Sequence, residues 1–272
     1  FTGLSIERYD GASSYHAFQA RAEKRFSQGY TLMGTYAWSK YLEEMTLLNP
    51  TDSKYEKRLN DADSPHRMAL SGIYEVPFGR GRLFGSSWSG WKQTLLGGFQ
   101  LQGILQYQAG RPLTLGNIYF NGNLSDLKPV IKSSTIGVIG SSNIEDNVFL
   151  TNIQNTGFYF QDDAVRTGGQ LDYTKQRNDT RINLSQNIRT LPSRVPNFRD
   201  QAITLLDLSV IKNFDFGERV KLQFRAEAIN ALNKAHFSGP VLNPRDANFG
   251  RVTSTTSPTL PREFQLGLRL VY

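Results

Sequence analysis

Seven stretches of this chain alternate apolar and polar residues with a period of two, each for roughly ten positions, which is the signature of a long strand with two unlike faces. They lie near 15–26, 30–40, 66–76, 98–109, 202–214, 219–232 and 262–272. In the fourth, Phe99, Leu101, Gly103, Leu105 and Tyr107 oppose Gln100, Gln102, Gln106 and Gln108. In the sixth, Val220, Leu222, Phe224, Ala226 and Ala228 oppose Lys221, Gln223, Arg225 and Glu227. A helix cannot keep such a pattern on two faces, so the chain is expected to be all-β. The composition agrees, with aromatic residues at 12%, charged residues at 20% and 24 glycines.

Alternating strands have two common fates. In a soluble sandwich the apolar face packs into a core. In a transmembrane barrel it touches lipid, and the polar face lines a wet lumen. Length favours the barrel. About 11 residues at ~3.3 Å rise and ~40° tilt span roughly 27 Å, close to an apolar band of ~25 Å, whereas soluble strands are shorter. Aromatic residues gather at the segment ends (Phe26, Tyr30, Tyr36, Trp38, Tyr74, Tyr107, Tyr272), where interfacial girdles sit. The polar faces carry glutamine ladders and mixed charges such as Arg21, Glu23 and Arg25, which suit a crowded lumen. No run of 18 apolar residues is present, so a membrane-spanning helix is not expected.

The connectors also alternate. Ser27-Gln28-Gly29 and Asp215 to Glu218 are tight, while the second, fourth and sixth connectors are long. Short periplasmic turns and long extracellular loops follow this rule in outer-membrane barrels. The exception is Pro77 to Gly97, read as an enlarged turn whose Trp88 and Trp91 rest at the interface. Seven strands leave a barrel open, and a free edge in lipid strands unpaired backbone groups. The chain, which begins FTGLSIERYD, is therefore expected to be the C-terminal portion of a larger barrel, incomplete on its own.

The net charge of +7 invites a nucleic-acid reading. Basic residues are spread along the chain, however, and acids outnumber bases between 41 and 65, so no nucleic-acid partner is expected. The absence of Cys excludes a disulfide scaffold, a thiolate metal site and a Cys nucleophile.

Several segments in order, SYHAFQARAEKRFSQGYTLMGTYAWSK, DSPHRMALSGIYEVPFGRGR, GGFQLQGILQYQAGRPL, LDLSVIKNFDF, LQFRAEAINALNKAHF and NFGRVTSTTSPTLPREFQLGLRLVY, resemble TonB-dependent receptor-like outer-membrane proteins of the Oar type. The resemblance spans nearly all the strands but not the insert 111–200. Phe99 stands where Trp is common in that family, and the last residue is Tyr272 rather than Phe. The resemblance implies an outer-membrane location in a Gram-negative bacterium and a 22-stranded barrel closed by an N-terminal plug. It also implies energy from the TonB complex, reached through a part of the protein absent here. Its partners would be outer-membrane lipid and lipopolysaccharide, the rest of the same barrel and its plug, and the barrel-assembly machinery. It implies a transporter or receptor that binds a ligand at extracellular loops and passes it through the plugged barrel, with no cofactor and no catalysis.

Three groups of residues follow as site candidates. Phe264, Leu266, Leu268, Leu270 and Tyr272 alternate to the last residue, resembling the C-terminal signal read by the barrel-assembly machinery. Gln19, Arg21, Glu23, Gln102, Gln106, Arg225, Glu227, Gln265 and Arg269 are expected to face the lumen. Tyr119, Phe120, Phe158, Tyr159 and Phe160 in the extracellular loop 111–200 could stack on a ligand. Rival readings are a barrel that serves adhesion or structure without active uptake, and a barrel hydrolase built on His66 with Asp61 or Asp63. His66 stands where a long loop re-enters a strand, which favours no catalytic or metal role.

Overall fold

The computed structural model describes residues 8–120, 128–131, 149–152, 166–167, 170–171, 182–183, 188–216, 220–239, 242, 255 and 261–272. Seven long strands, β1 (Ala12–Ser27), β2 (Tyr30–Glu44), β3 (His66–Glu75), β4 (Phe99–Gln108), β5 (Ile203–Phe216), β6 (Val220–Ile229) and β7 (Glu263–Val271), form one antiparallel sheet. Each strand pairs with its sequence neighbour, and β1 and β7 are the two open edges. The only helix among the described residues is α1 (Gly90–Leu96). The result is an up-and-down meander, the simplest route for a chain whose short turns favour adjacent pairing.

The pairing register puts the alternating residues of every strand on common faces. Lys24, Leu32, Gly72, Gly103, Leu208, Ala228 and Phe264 stand side by side across the sheet. On the other face, one row runs Thr31, Ile73, Gln102, Ser209, Glu227 and Gln265. A slip of one residue in any pair would mix the faces, so the hydrophobic pattern itself selects this register. The β1–β2 turn also helps fix it. Gln28 and Gly29 both have positive φ, at 55° and 84°, the backbone that a two-residue hairpin turn needs. A bulge between Lys24 and Ser27 interrupts the alternation that the sequence suggests through Phe26.

The apolar face is uncovered. Leu101 and Leu208 lie on the central strands β4 and β5, yet remain 43% and 45% exposed. A soluble sandwich would bury such positions under a second sheet. Among the described residues, Ile211 is the one buried apolar residue within the seven strands. The other buried apolar side chains are Leu59, paired beside Leu42 of β2, and Ala109, Leu113, Leu115, Ile118, Leu191, Val195 and Phe198, which lie beyond the strand ends at the long-connector side. What would be core in a soluble protein is thus an open apolar wall, and the dry packing is displaced into the loops.

Two cations on the apolar face stand near its short-turn border. Lys24 lies over the Tyr30 ring at 3.7 Å and donates to Ser27 Oγ at 2.9 Å. Lys212 is buried and donates to the Gly97 carbonyl while lying over the Phe99 and Phe214 rings. A lysine at this depth turns its ammonium toward polar groups at the edge of the apolar band.

Candidate functional site

The polar face is the first part of the site. The register places Gln19, Arg21 and Glu23 of β1, Gln102 and Gln106 of β4, Arg225 and Glu227 of β6, and Gln265 and Arg269 of β7 on that one face. Side chains on this face bond to one another both along a strand and between strands. Arg21 pairs with Glu23 at 2.9 Å, and Arg225 with Glu227 at 2.6 Å. Ser209 Oγ donates to Glu227 Oε1 at 3.0 Å, and Gln223 Nε2 to Asn213 Oδ1 at 3.0 Å. Two hollows run along the face. One, of about 590 Å³, is lined by Gln19, Arg21, Thr35, Arg67, Gln106 and Gln108 among others. The second, of about 670 Å³, touches Glu23, Gln102, Asp207, Ser209, Arg225 and Glu227. The first carries two arginines beside its glutamines, and the second mixes acids with bases, so together they offer both donors and acceptors to a polar solute.

The second part is a cap at the long-connector end. Past the end of β4, Gly110 lies so close to the opposite strand that an added Cβ would collide with the Asp200 carbonyl oxygen. Only glycine permits that approach. Just beyond it, Pro112–Thr114 pairs with Arg194–Arg199 to form an arm. Leu113, Leu115, Ile118, Leu191, Val195 and Phe198 give this end of the hairpin its own buried packing. Leu115 N–H donates to Ser193 O at 2.9 Å, and Leu191 N–H to Ile118 O at 3.2 Å.

The arm is bolted to the β2–β3 connector by buried charge. Glu43 faces the polar side, opposite Arg58 of a two-residue extension (Arg58–Leu59) along β2. Its carboxylate accepts from Arg58 Nε and from Arg194 Nη1, both at 2.8 Å. Asn60 Nδ2 adds a third bond at 2.5 Å. Glu56 takes Ser193 N–H at 2.6 Å and Ser193 Oγ at 2.5 Å. Lower down, Asp63 accepts from Tyr41 N–H at 2.6 Å and pairs with Arg199 at 2.6 Å. Asn49 and Arg189 exchange two bonds, at 2.7 and 2.9 Å. Because Glu43 and Arg58 belong to the polar face, the arm meets β2 on that side. Every charge in this network has hydrogen-bonded partners, as burial demands.

Burial tunes two groups at this end of the sheet. Asp200 accepts from Gln201 N–H at 2.8 Å, but loss of water raises its pKa above the usual carboxylate range. His236 Nε2 accepts the Thr204 N–H at 2.9 Å, and burial, helped by Lys234, lowers its pKa. The imidazole is held neutral, as an acceptor must be.

The remaining sequence candidates fall in other places. Tyr119 and Phe120 pair with Asn183 and Ile182 in a short ladder inside the long connector. Phe158, Tyr159 and Phe160 lie outside the described residues. Phe264, Leu266, Leu268 and Leu270 line the apolar face of the edge strand β7, from 59% to 73% exposed, and Tyr272 follows it. His66 is not brought together with Asp63. Its ring stacks on Tyr36, and Tyr36 Oη meets its Nδ1 at 2.8 Å, whereas Asp63 is held by Tyr41 and Arg199. Sequence reasoning missed the Glu43–Arg58–Arg194 cluster, since its members are spread along the chain and none sits in a motif.

Comparison with protein families matches residues 1–265 to an outer membrane beta barrel domain. The chain belongs to that family. This barrel domain therefore resides in the outer membrane of a Gram-negative bacterium. No curated protein and no solved structure matches the barrel domain.

Proposed function

We propose that this barrel domain is the C-terminal part of a TonB-dependent outer-membrane transporter or receptor of the Oar type. The observation that carries the reading is the inward-bonded arm: a long extracellular connector fixed by Arg194 to Glu43, above the face that carries the charges and glutamines. In this reading the cap and the outer loops bind a ligand, and the polar face gives it a wet path once a plug moves. The order of the sequence segments that resemble that family supports the same assignment. The reading is non-enzymatic. His66 and Asp63, the pair on which a hydrolase would rest, are engaged by different partners.

The test is genetic and physiological. A strain lacking the protein is compared with its parent for growth on limiting peptides, oligosaccharides and iron chelates. A defect on one of them, reproduced by loss of TonB and by an arm deletion that still assembles, supports transport. Normal growth on all of them with loss of cell attachment would replace transport by an adhesive role.

A further inference from the structure

We propose that the β3–β4 connector is a membrane anchor: the Trp91, Leu95 and Leu96 side of α1 lies in the headgroup–acyl boundary of the phospholipid leaflet at the short-turn end of the barrel. This rests on the membrane-barrel assignment and is independent of transport.

The helix is inside out for a soluble protein. Trp91, Leu95 and Leu96 are 66%, 58% and 48% exposed. Gln93 turns inward instead, accepting the Arg80 N–H at 2.6 Å and lying against Gly79 and Gly97. The loop beside it repeats the inversion. Leu83 and Phe84 are exposed, while Phe78 stacks on Trp88 with centroids 6.3 Å apart. An apolar helix side and an apolar loop in one connector form a patch that water does not favour.

Three features make lipid the occupant. The connector is joined to the lipid-facing wall, because Lys212 of the apolar face donates to Gly97 O and Asn213 N–H donates to Gly98 O at 3.0 Å. The C-terminal end of the helix is therefore held at the border of the apolar wall, where an apolar surface next to hydrocarbon meets acyl chains. Its chemistry is that of an interfacial segment: indole and leucine side chains next to Lys92, whose ammonium lies 5.9 Å from the Trp91 ring. The arrangement also explains why this connector is not a tight turn, since its backbone supplies the carbonyl that receives Lys212.

The chain has no Cys, so a nitroxide can be placed at one position. Leu95→Cys, Gln93→Cys and, as a lipid-facing standard, Leu101→Cys are labelled in the complete protein. They are reconstituted in vesicles of phosphatidylethanolamine and phosphatidylglycerol. The proposal expects the label at Leu95 to collide with oxygen several-fold more than with an aqueous nickel chelate, as at Leu101, and the label at Gln93 to be shielded from both. Greater access to the chelate at Leu95 would mean that the helix faces water. Low access to both reagents there would mean that protein covers it. Either result overturns the anchor.

Discussion

Arg194 and Glu43 are 151 residues apart in the chain, yet their guanidinium and carboxylate meet at 2.8 Å. Both side chains are more than nine-tenths buried. That contact ties the fourth connector to the second across the outer end of the sheet. Breaking a buried pair leaves an uncompensated charge, at about 3 kcal/mol or more. Glu43→Ala should therefore release the arm. Amides at 191–199 should exchange faster with deuterated solvent, while those at the centres of β4 and β5 keep their protection. Unchanged exchange at 191–199 would show that apolar packing alone holds the arm.

Gly110 permits the close approach to Asp200 at the base of the arm. An added methyl would collide with the Asp200 carbonyl, a backbone atom that cannot rotate away. Gly110→Ala should cost about 2 kcal/mol or more in local stability and open the arm to limited proteolysis. The equivalent change at Gly81, which has nothing within 4 Å of its Cβ, should not affect the arm. Its positive φ of 73° strains an alanine there, but in the β3–β4 connector at the opposite end of the sheet.

The buried imidazole gives a pH dependence with a definite sign. Burial lowers the pKa of His236 in the folded state below its ordinary value, so its contribution is present above ~6.5 and is lost as pH falls through the lowered value. Once protonated, Nε2 no longer accepts the Thr204 N–H. Protection of the Thr204 amide, corrected for intrinsic exchange, should fall on acidification below pH 6. His236→Gln should flatten that dependence. A pH-independent Thr204 amide in the unaltered protein would refute the assignment.

The exposed end of β7 is where assembly is expected to be read. Deleting Tyr272 should lower the amount of protein in the outer membrane by severalfold, measured against total synthesis, with little change in the stability of whatever assembles. Equal assembly would remove the signal role from this residue.

Much of the sheet was legible because period two is a strong signal when both faces must differ. The tight turn at Gln28-Gly29, the enlarged one after Pro77 and the opposed faces of β4 and β6 all follow from local pattern. The cap was not legible. Glu43, Arg58, Arg194, Asp63 and Arg199 look like ordinary surface charges in one dimension, and their partners are set by how two connectors fold together. Gly110 reads as a turn residue, whereas its role is a close approach to Asp200. Lys212 breaks the apolar alternation of β5, and the pattern gives no reason for it. Its reason is the Gly97 carbonyl, supplied by a different connector.

The central claim is that one face of this sheet meets lipid and the other meets water inside a larger barrel. Single cysteines at Gln265 and Leu266, and at Gln102 and Leu101, test it directly in outer membranes with a membrane-impermeant maleimide. Gln265→Cys and Gln102→Cys should react, and Leu266→Cys and Leu101→Cys should be protected until detergent is added. The reverse pattern, or equal labelling of all four, would contradict the account.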